Sequence, residues 1–143
     1  MEKVIGSILR AKGYTVFEHD SGADGGVDLL ACNGPLGFEP PKICVQVKTE
    51  NSPIGRPALD QLKGVMTDVG ADYGLFVSWG GFTTNVINDK RKTFFKIRLW
   101  DHKDVVCEFL NNYDKLDDDI KKKVPLQKIW VLTEGNERTL III

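Results

Sequence analysis

The chain has 143 residues, 42% of them hydrophobic, with 19 basic residues against 20 acidic ones. That size and apolar content suit a single core. No stretch approaches the roughly 20 continuous apolar residues of a membrane helix, and residues 1–12 are too charged for a secretory signal, so an intracellular, cytoplasmic protein is expected. The near-neutral balance excludes a protein that grips phosphates by bulk positive charge alone.

From the start of the chain, Val4, Ile5, Ile8 and Leu9 recur at helical spacing and Gly13 follows where a left-handed helix end is wanted, which predicts an amphipathic helix over residues 1–12. Three β-rich runs come next, at residues 14–18, 27–32 and 43–49, separated by turn-forming stretches at 20–26 and 33–41. They read as an antiparallel meander. Pro57 suits a first helical residue, Leu59, Leu62, Val65, Met66 and Val69 make one apolar face, and Gly70 closes the helix. A strand at 73–79, a short helix capped by Thr83 or Thr84 and ending near Lys92, and a fifth strand at 95–100 complete the order α-β-β-β-α-β-α-β. This is an α/β sandwich with a mixed sheet.

Beyond Trp100 a helix at about 104–111 is expected, and the charge runs at 117–119 and 121–123 read as a solvated helix or linker. Residues 129–133 and 139–143 look like a hairpin whose apolar end, 140–143, needs cover from the domain or from another chain. The expected organisation is therefore one domain over 1–110 and a C-terminal extension over 111–143. Cys32, Cys44 and Cys107 form no C-x-x-C pair, which points to buried, reduced thiols and not to a disulfide framework or zinc site.

The chemistry-bearing residues lie on the second and third predicted strands. Alternation puts Gln46 and Lys48 on one side, about 7 Å apart along the chain, with Val45 and Val47 turned into the core. Asp28 follows Asp24-Gly25-Gly26, where two glycines allow a sharp bend and leave open space beside the carboxylate. If the two strands are hairpin neighbours, Asp28 approaches Gln46 and Lys48. One carboxylate, one amide oxygen and a main-chain carbonyl such as that of Val47 suit Mg²⁺, which takes oxygen ligands and keeps several waters. Such an ion polarises a phosphate and acidifies a bound water, while a neighbouring lysine offsets charge building in the transition state. The plainer reading is an Asp28–Lys48 ion pair on a solvated face beside an ordinary glycine turn. His19 and His102 have no companions and read as surface or core residues.

Glu2, Gly13-Tyr14, Asp24-Gly25-Gly26-Val27-Asp28-Leu29, Val45-Gln46-Val47-Lys48, Gly74-Leu75-Phe76-Val77-Ser78 and Gly81-Phe82-Thr83 occur in order. Together they resemble the catalytic domain of Mrr-type restriction endonucleases, a branch of the PD-(D/E)xK nucleases, over residues 1–110. The resemblance implies a restriction-endonuclease-like αβββαβ core with a mixed central sheet flanked by helices. It also implies a restriction or defence endonuclease that hydrolyses DNA phosphodiesters with Mg²⁺, or Mn²⁺ in its place. Asp28 matches the metal-binding aspartate, Gln46 takes the acidic position of the second half-motif, and Lys48 matches the catalytic lysine. Glu2 matches the family's helix glutamate, which holds an outer water or a second metal. Thr49 and Glu50 depart from the pattern, since a basic residue often follows the lysine in the family.

Candidate DNA contacts are Lys90, Arg91 and Lys92, joined by Lys96 and Arg98 on the following strand, and Arg56 beside the Pro57 helix start. The expected partners are DNA and a second copy of the chain, because each site cuts one strand. The residues after Asp101 match no recognisable DNA-reading domain, so a further recognition or regulatory domain or chain is expected. Two alternatives stay open: a structure-specific nuclease acting on branched DNA, and a catalytically silent module that binds DNA or a partner.

Overall fold

A computed structural model of the chain describes residues 1–18, 26–132 and 134–135. The elements are α1 (Glu2–Ala11), β1 (Thr15–Glu18), β2 (Leu29–Asn33), β3 (Glu39–Lys48), α2 (Arg56–Val69), β4 (Tyr73–Ser78), α3 (Thr84–Asp89), β5 (Ile97–Trp100), α4 (His102–Asn111) and α5 (Asp118–Lys123). The strands lie side by side in chain order, β1, β2 and β3 antiparallel and β3, β4 and β5 parallel. Short connections permit only antiparallel pairing, whereas each parallel step needs a crossover. Here α2 and α3 supply the two crossovers.

Alternation along β3 and β4 divides the core into two layers. Val45, Val47, Leu75 and Val77 pack with Leu29 and Ala31 against Ile5, Ile8 and Leu9 of α1 and Val105 of α4. Cys44, Phe76 and Ile97 pack against Leu59, Leu62 and Met66 of α2 and Val86 of α3. Both faces of the central strands are therefore covered, which explains their continuous apolar character. The side that carries Gln46 is as buried as the side that carries Val45 and Val47. Burial pushes the Cys44 thiol up to about 11, so it is inert at neutral pH.

Helix α2 is held closely. Pro57 lies in its first turn, and Gly70, in the left-handed conformation at φ 68°, closes it with N–H bonds to Met66 and Thr67 carbonyls. Gly74 of β4 leaves no room for a side chain, since a Cβ there would stand 2.8 Å from Met66 Sδ. Helix α4 begins with a reciprocal cap, Asp101 accepting from the Lys103 and Asp104 amides and Asp104 accepting from the Asp101 amide.

Several boundaries depart from the sequence expectation. Strand β3 starts at Glu39, inside the stretch read as a turn, and carries Pro40 and Pro41. The β2–β3 register shifts between Ala31 and Asn33, so the missing proline N–H groups fall where the ladder is already irregular. Strand β5 starts at Ile97, because residues 93–96 turn back through a Lys96 N–H to Thr93 carbonyl bond of 2.9 Å. The charge runs are not a free linker: Ile120 of α5 and Leu116 are buried in the α1 layer. Residues 129–132 form no strand and pair with none of the described residues, and Trp130 and Leu132 are exposed. The remainder of the expected hairpin, like His19, Asp24 and Gly25, lies outside the described residues. No helix among the described residues is long and apolar enough to cross a membrane.

Asp117 ties α5 to α1. Its amide donates to Ser7 Oγ at 2.8 Å and its carboxylate accepts from Arg10 Nη2 at 2.6 Å. The Arg10 guanidinium holds the Asp117 carboxyl below the usual carboxylate range, with Ser7 contributing. A folded-state pKa below the unfolded value of about 3.9 means the unfolded chain binds the proton more readily. The stabilisation is then present above that value and lost as pH falls through the folded one. Asp117→Asn is expected to lower Tm at pH 7, with the gap to wild type narrowing as pH falls below the unfolded value; circular dichroism melts over a falling pH series check this.

Candidate metal and catalytic site

Gln46 lies near the end of β3, only 3% exposed, and its Oε1 finds no hydrogen-bond donor among the described residues. A buried acceptor left in that state costs about 1–3 kcal/mol. Beside it stands Gly26, at φ +67°, where a Cβ would meet Gln46 Nε2 at 3.5 Å and Gln46 Oε1 at 3.7 Å. The glycine thus supplies both a conformation that other residues rarely adopt and the free space next to the amide.

Asp28 is anchored on both sides of Gln46. Its amide donates to the Val45 carbonyl at 2.9 Å, and its Oδ2 accepts from the Val47 amide at 2.6 Å. These two bonds tie Asp28 to the residues on either side of Gln46. The short charge-assisted bond to Val47 fixes one oxygen and leaves the other with open lone pairs.

Lys48 ends β3, half-buried, and pairs in register with Ser78 of β4. Its carbonyl accepts the Trp79 amide at 2.9 Å. Asp28 and Lys48 form no ion pair; the carboxylate bonds to the Val47 amide instead. Lys48 is left without a counter-ion among the described residues.

The loops leaving β3 and β4 are joined to each other. Ile54 bridges Phe82, its amide donating to the Gly81 carbonyl at 2.9 Å and its carbonyl accepting the Thr83 amide at 3.0 Å. Gly80 lies so close to the Asn51 and Ser52 backbone that a Cβ would stand 2.5 Å from it. The chain after Lys48 is thereby led directly into the start of α2.

The other residues singled out in the sequence are placed differently. Glu2 is exposed at the start of α1, on the helix layer opposite Gln46, and makes no hydrogen bond or ion pair with Asp28, Gln46 or Lys48. Met1 and Val4 line a groove with Trp79, so α1 begins at the same end of the sheet as Lys48 but on the other side. Arg56 and Lys92 both pair with Asp89, the latter at 3.3 Å. Asp89 went unnoticed in the sequence; an acid at a helix end directly before a basic run was the available signal. Lys90 and Arg91 are exposed and in no ion pair among the described residues. Lys96 sits over the Tyr73 ring at 5.8 Å and Arg98 over the Phe94 ring at 3.7 Å. Both lie where β4 and β5 begin, the opposite end of the sheet from Lys48.

Among the described residues no three His, Cys, Asp or Glu side chains gather. The donors at hand around Gln46 are an amide oxygen, a carboxylate oxygen and main-chain carbonyls. That all-oxygen set fits Mg²⁺ or Mn²⁺ and not a softer metal.

The mixed sheet with helices on both faces is the restriction-endonuclease fold. The DNA modification-dependent restriction endonuclease AspBHI superposes with a TM-score of 0.60 at 14% identity, covering 77% of this chain and 30% of that one. A protein of unknown function, AF1548, superposes with a TM-score of 0.56 at 11% identity, covering 86% of this chain and 74% of its own. The Mrr catalytic-domain family, described as a restriction endonuclease, matches residues 1–107, and the chain belongs to that family. It is 31% identical over 88 residues to the type IV methyl-directed restriction enzyme EcoKMrr of Escherichia coli (strain K12), a match that takes in 58% of this chain and 28% of that enzyme. The chain thus spans less than a third of either restriction enzyme.

Proposed function

We propose that this chain is the catalytic domain of a Mg²⁺-dependent DNA endonuclease that hydrolyses phosphodiester bonds in a restriction or defence role. Asp28, Gln46 and the Val47 carbonyl would be the protein ligands and Lys48 the catalytic lysine. The observation that carries this reading is Gln46 Oε1, buried without a donor among the described residues, beside an anchored carboxylate and the space at Gly26. A cation satisfies that oxygen, and the closeness of Asp28 supplies the charge a neutral amide lacks.

When bound, the ion would polarise the scissile phosphate and lower the pKa of a coordinated water. Asp28, held by the Val47 amide, presents its free oxygen at a fixed place. Lys48, without a counter-ion among the described residues, would bring a positive charge to the same end of the sheet, draw the phosphate in and offset the charge that develops on its oxygens. Glu2 touches none of these groups and is left out of the proposal.

DNA is the proposed substrate, and the near-neutral charge of the chain makes a second copy or a separate recognition domain the proposed source of affinity. The pairing of Arg56 and Lys92 with Asp89 supports this, since it occupies two of the basic side chains that would otherwise face phosphates. In calorimetric titration with Mn²⁺, the wild-type chain is expected to bind and Gln46→Leu, which keeps the size and burial of the side chain, to lose at least about tenfold in affinity. Equal affinities would remove Gln46 from the ligand set.

A further inference from the structure

We propose that Gln61 of α2 is a positioning residue of the same site, holding water bound to the cation from the helix side of the sheet. The inference rests on the reading of Asp28 and Gln46 as ligands. The three atoms nearest to a Cβ built on Gly26 are Gln46 Nε2 at 3.5 Å, Gln46 Oε1 at 3.7 Å and Gln61 Nε2 at 3.7 Å. Two elements that meet through an apolar layer thus each send a polar side chain to one spot that no described side chain fills.

The position of Gln61 is fixed by its helix. It lies between Leu59 and Leu62, both buried against the layer that holds Cys44 and Phe76. The missing Gly74 side chain draws the same helix down onto β4. Gln61 is itself exposed, and its amide makes no hydrogen bond within the described residues, so nothing in the packing of α2 requires an amide there. Neighbouring Asp60, by contrast, has a partner in Lys63 at 3.6 Å.

Depth separates the two glutamines. Gln46 is sunk in the sheet, where its oxygen can touch a cation directly, while Gln61 stands at the rim. Mg²⁺ keeps several of its waters, and each needs an acceptor held in place. Gln61 Oε1 would accept from one such water while Nε2 donates to a phosphate oxygen, an arrangement open to an amide because it carries both functions.

The test compares Mn²⁺ titrations of wild type, Gln46→Leu, Gln61→Ala and Gln61→Glu without DNA. A carboxylate at residue 61 would bring full negative charge to the same spot, so Gln61→Glu is expected to bind Mn²⁺ about tenfold more tightly than wild type, and Gln61→Ala several-fold more weakly. Cleavage by Gln61→Ala is expected to fall in kcat with KM for DNA kept. A Gln61→Glu affinity equal to that of wild type, where Gln46→Leu binds more weakly than wild type, overturns the role of Gln61 and leaves the ligand assignment intact. No binding by wild type or by Gln61→Glu overturns both.

Discussion

Lys48→Ala is expected to convert supercoiled plasmid to nicked or linear product about a hundred to a thousand times more slowly than wild type in Mg²⁺, with an unchanged melting temperature. The side chain makes no ion pair among the described residues, and what secures the end of β3 is its backbone, through the Trp79 amide and the pairing with Ser78. Alanine keeps those bonds while removing the ammonium and most of its aliphatic stem. Asp28→Ala should be equally inert but less informative, because it also strips the acceptor from the Val47 amide, and a buried donor left unpaired costs about 1–3 kcal/mol. Lys48→Arg should not restore the rate, since a planar guanidinium cannot place its charge where a compact ammonium does. Parallel cleavage assays and melts decide the matter, and undiminished cleavage by Lys48→Ala would sink the proposed mechanism.

Phe76→Ala is expected to destabilise the domain by about 3–5 kcal/mol, a large share of the roughly 5–15 kcal/mol that holds a domain of this size together. Phe76 is fully buried at the middle of β4, flanked in register by Gln46 on one side and Leu99 on the other. Its ring meets Phe82 edge-on, with centroids 5.8 Å apart and planes at 81°, a geometry that adds to simple area burial. Losing it would empty the layer between the sheet and α2 and loosen the Phe82 loop that holds the chain after Lys48. Urea denaturation should show a lower midpoint with an unchanged slope. A midpoint within experimental error of wild type would mean that the layer repacks around the gap.

The order of elements was legible because the chain obeys simple periodicities. Leu59, Leu62 and Met66 mark one face of α2, and Pro57 and Gly70 mark its ends. The start of β3 was not, because Pro40 and Pro41 signal a turn locally, and only the pairing of Asn33 with Glu39 shows that the ladder takes them in. Strand alternation put Gln46 and Lys48 on one side, but nothing local tells that α2 will cover that side and bury Gln46. The bond from the Val47 amide to Asp28 spans 19 residues and depends on how the chain enters β2, which spacing alone does not specify. The pairing of Arg56 with Asp89 is likewise a product of how α2 and α3 dock, so a residue that looks available for phosphate in the sequence is occupied in the fold.

The depth of Gln46 bears on the stability of the domain without a bound ion. A carboxylate at that depth would carry net charge into an apolar layer whenever no counter-ion was at hand, and the cost of stripping its water would fall on the fold. An amide imposes only the smaller demand of an unmatched dipole. With the proposed site, the scaffold would mature and persist in an ion-free form, at the expense of a weaker hold on the ion.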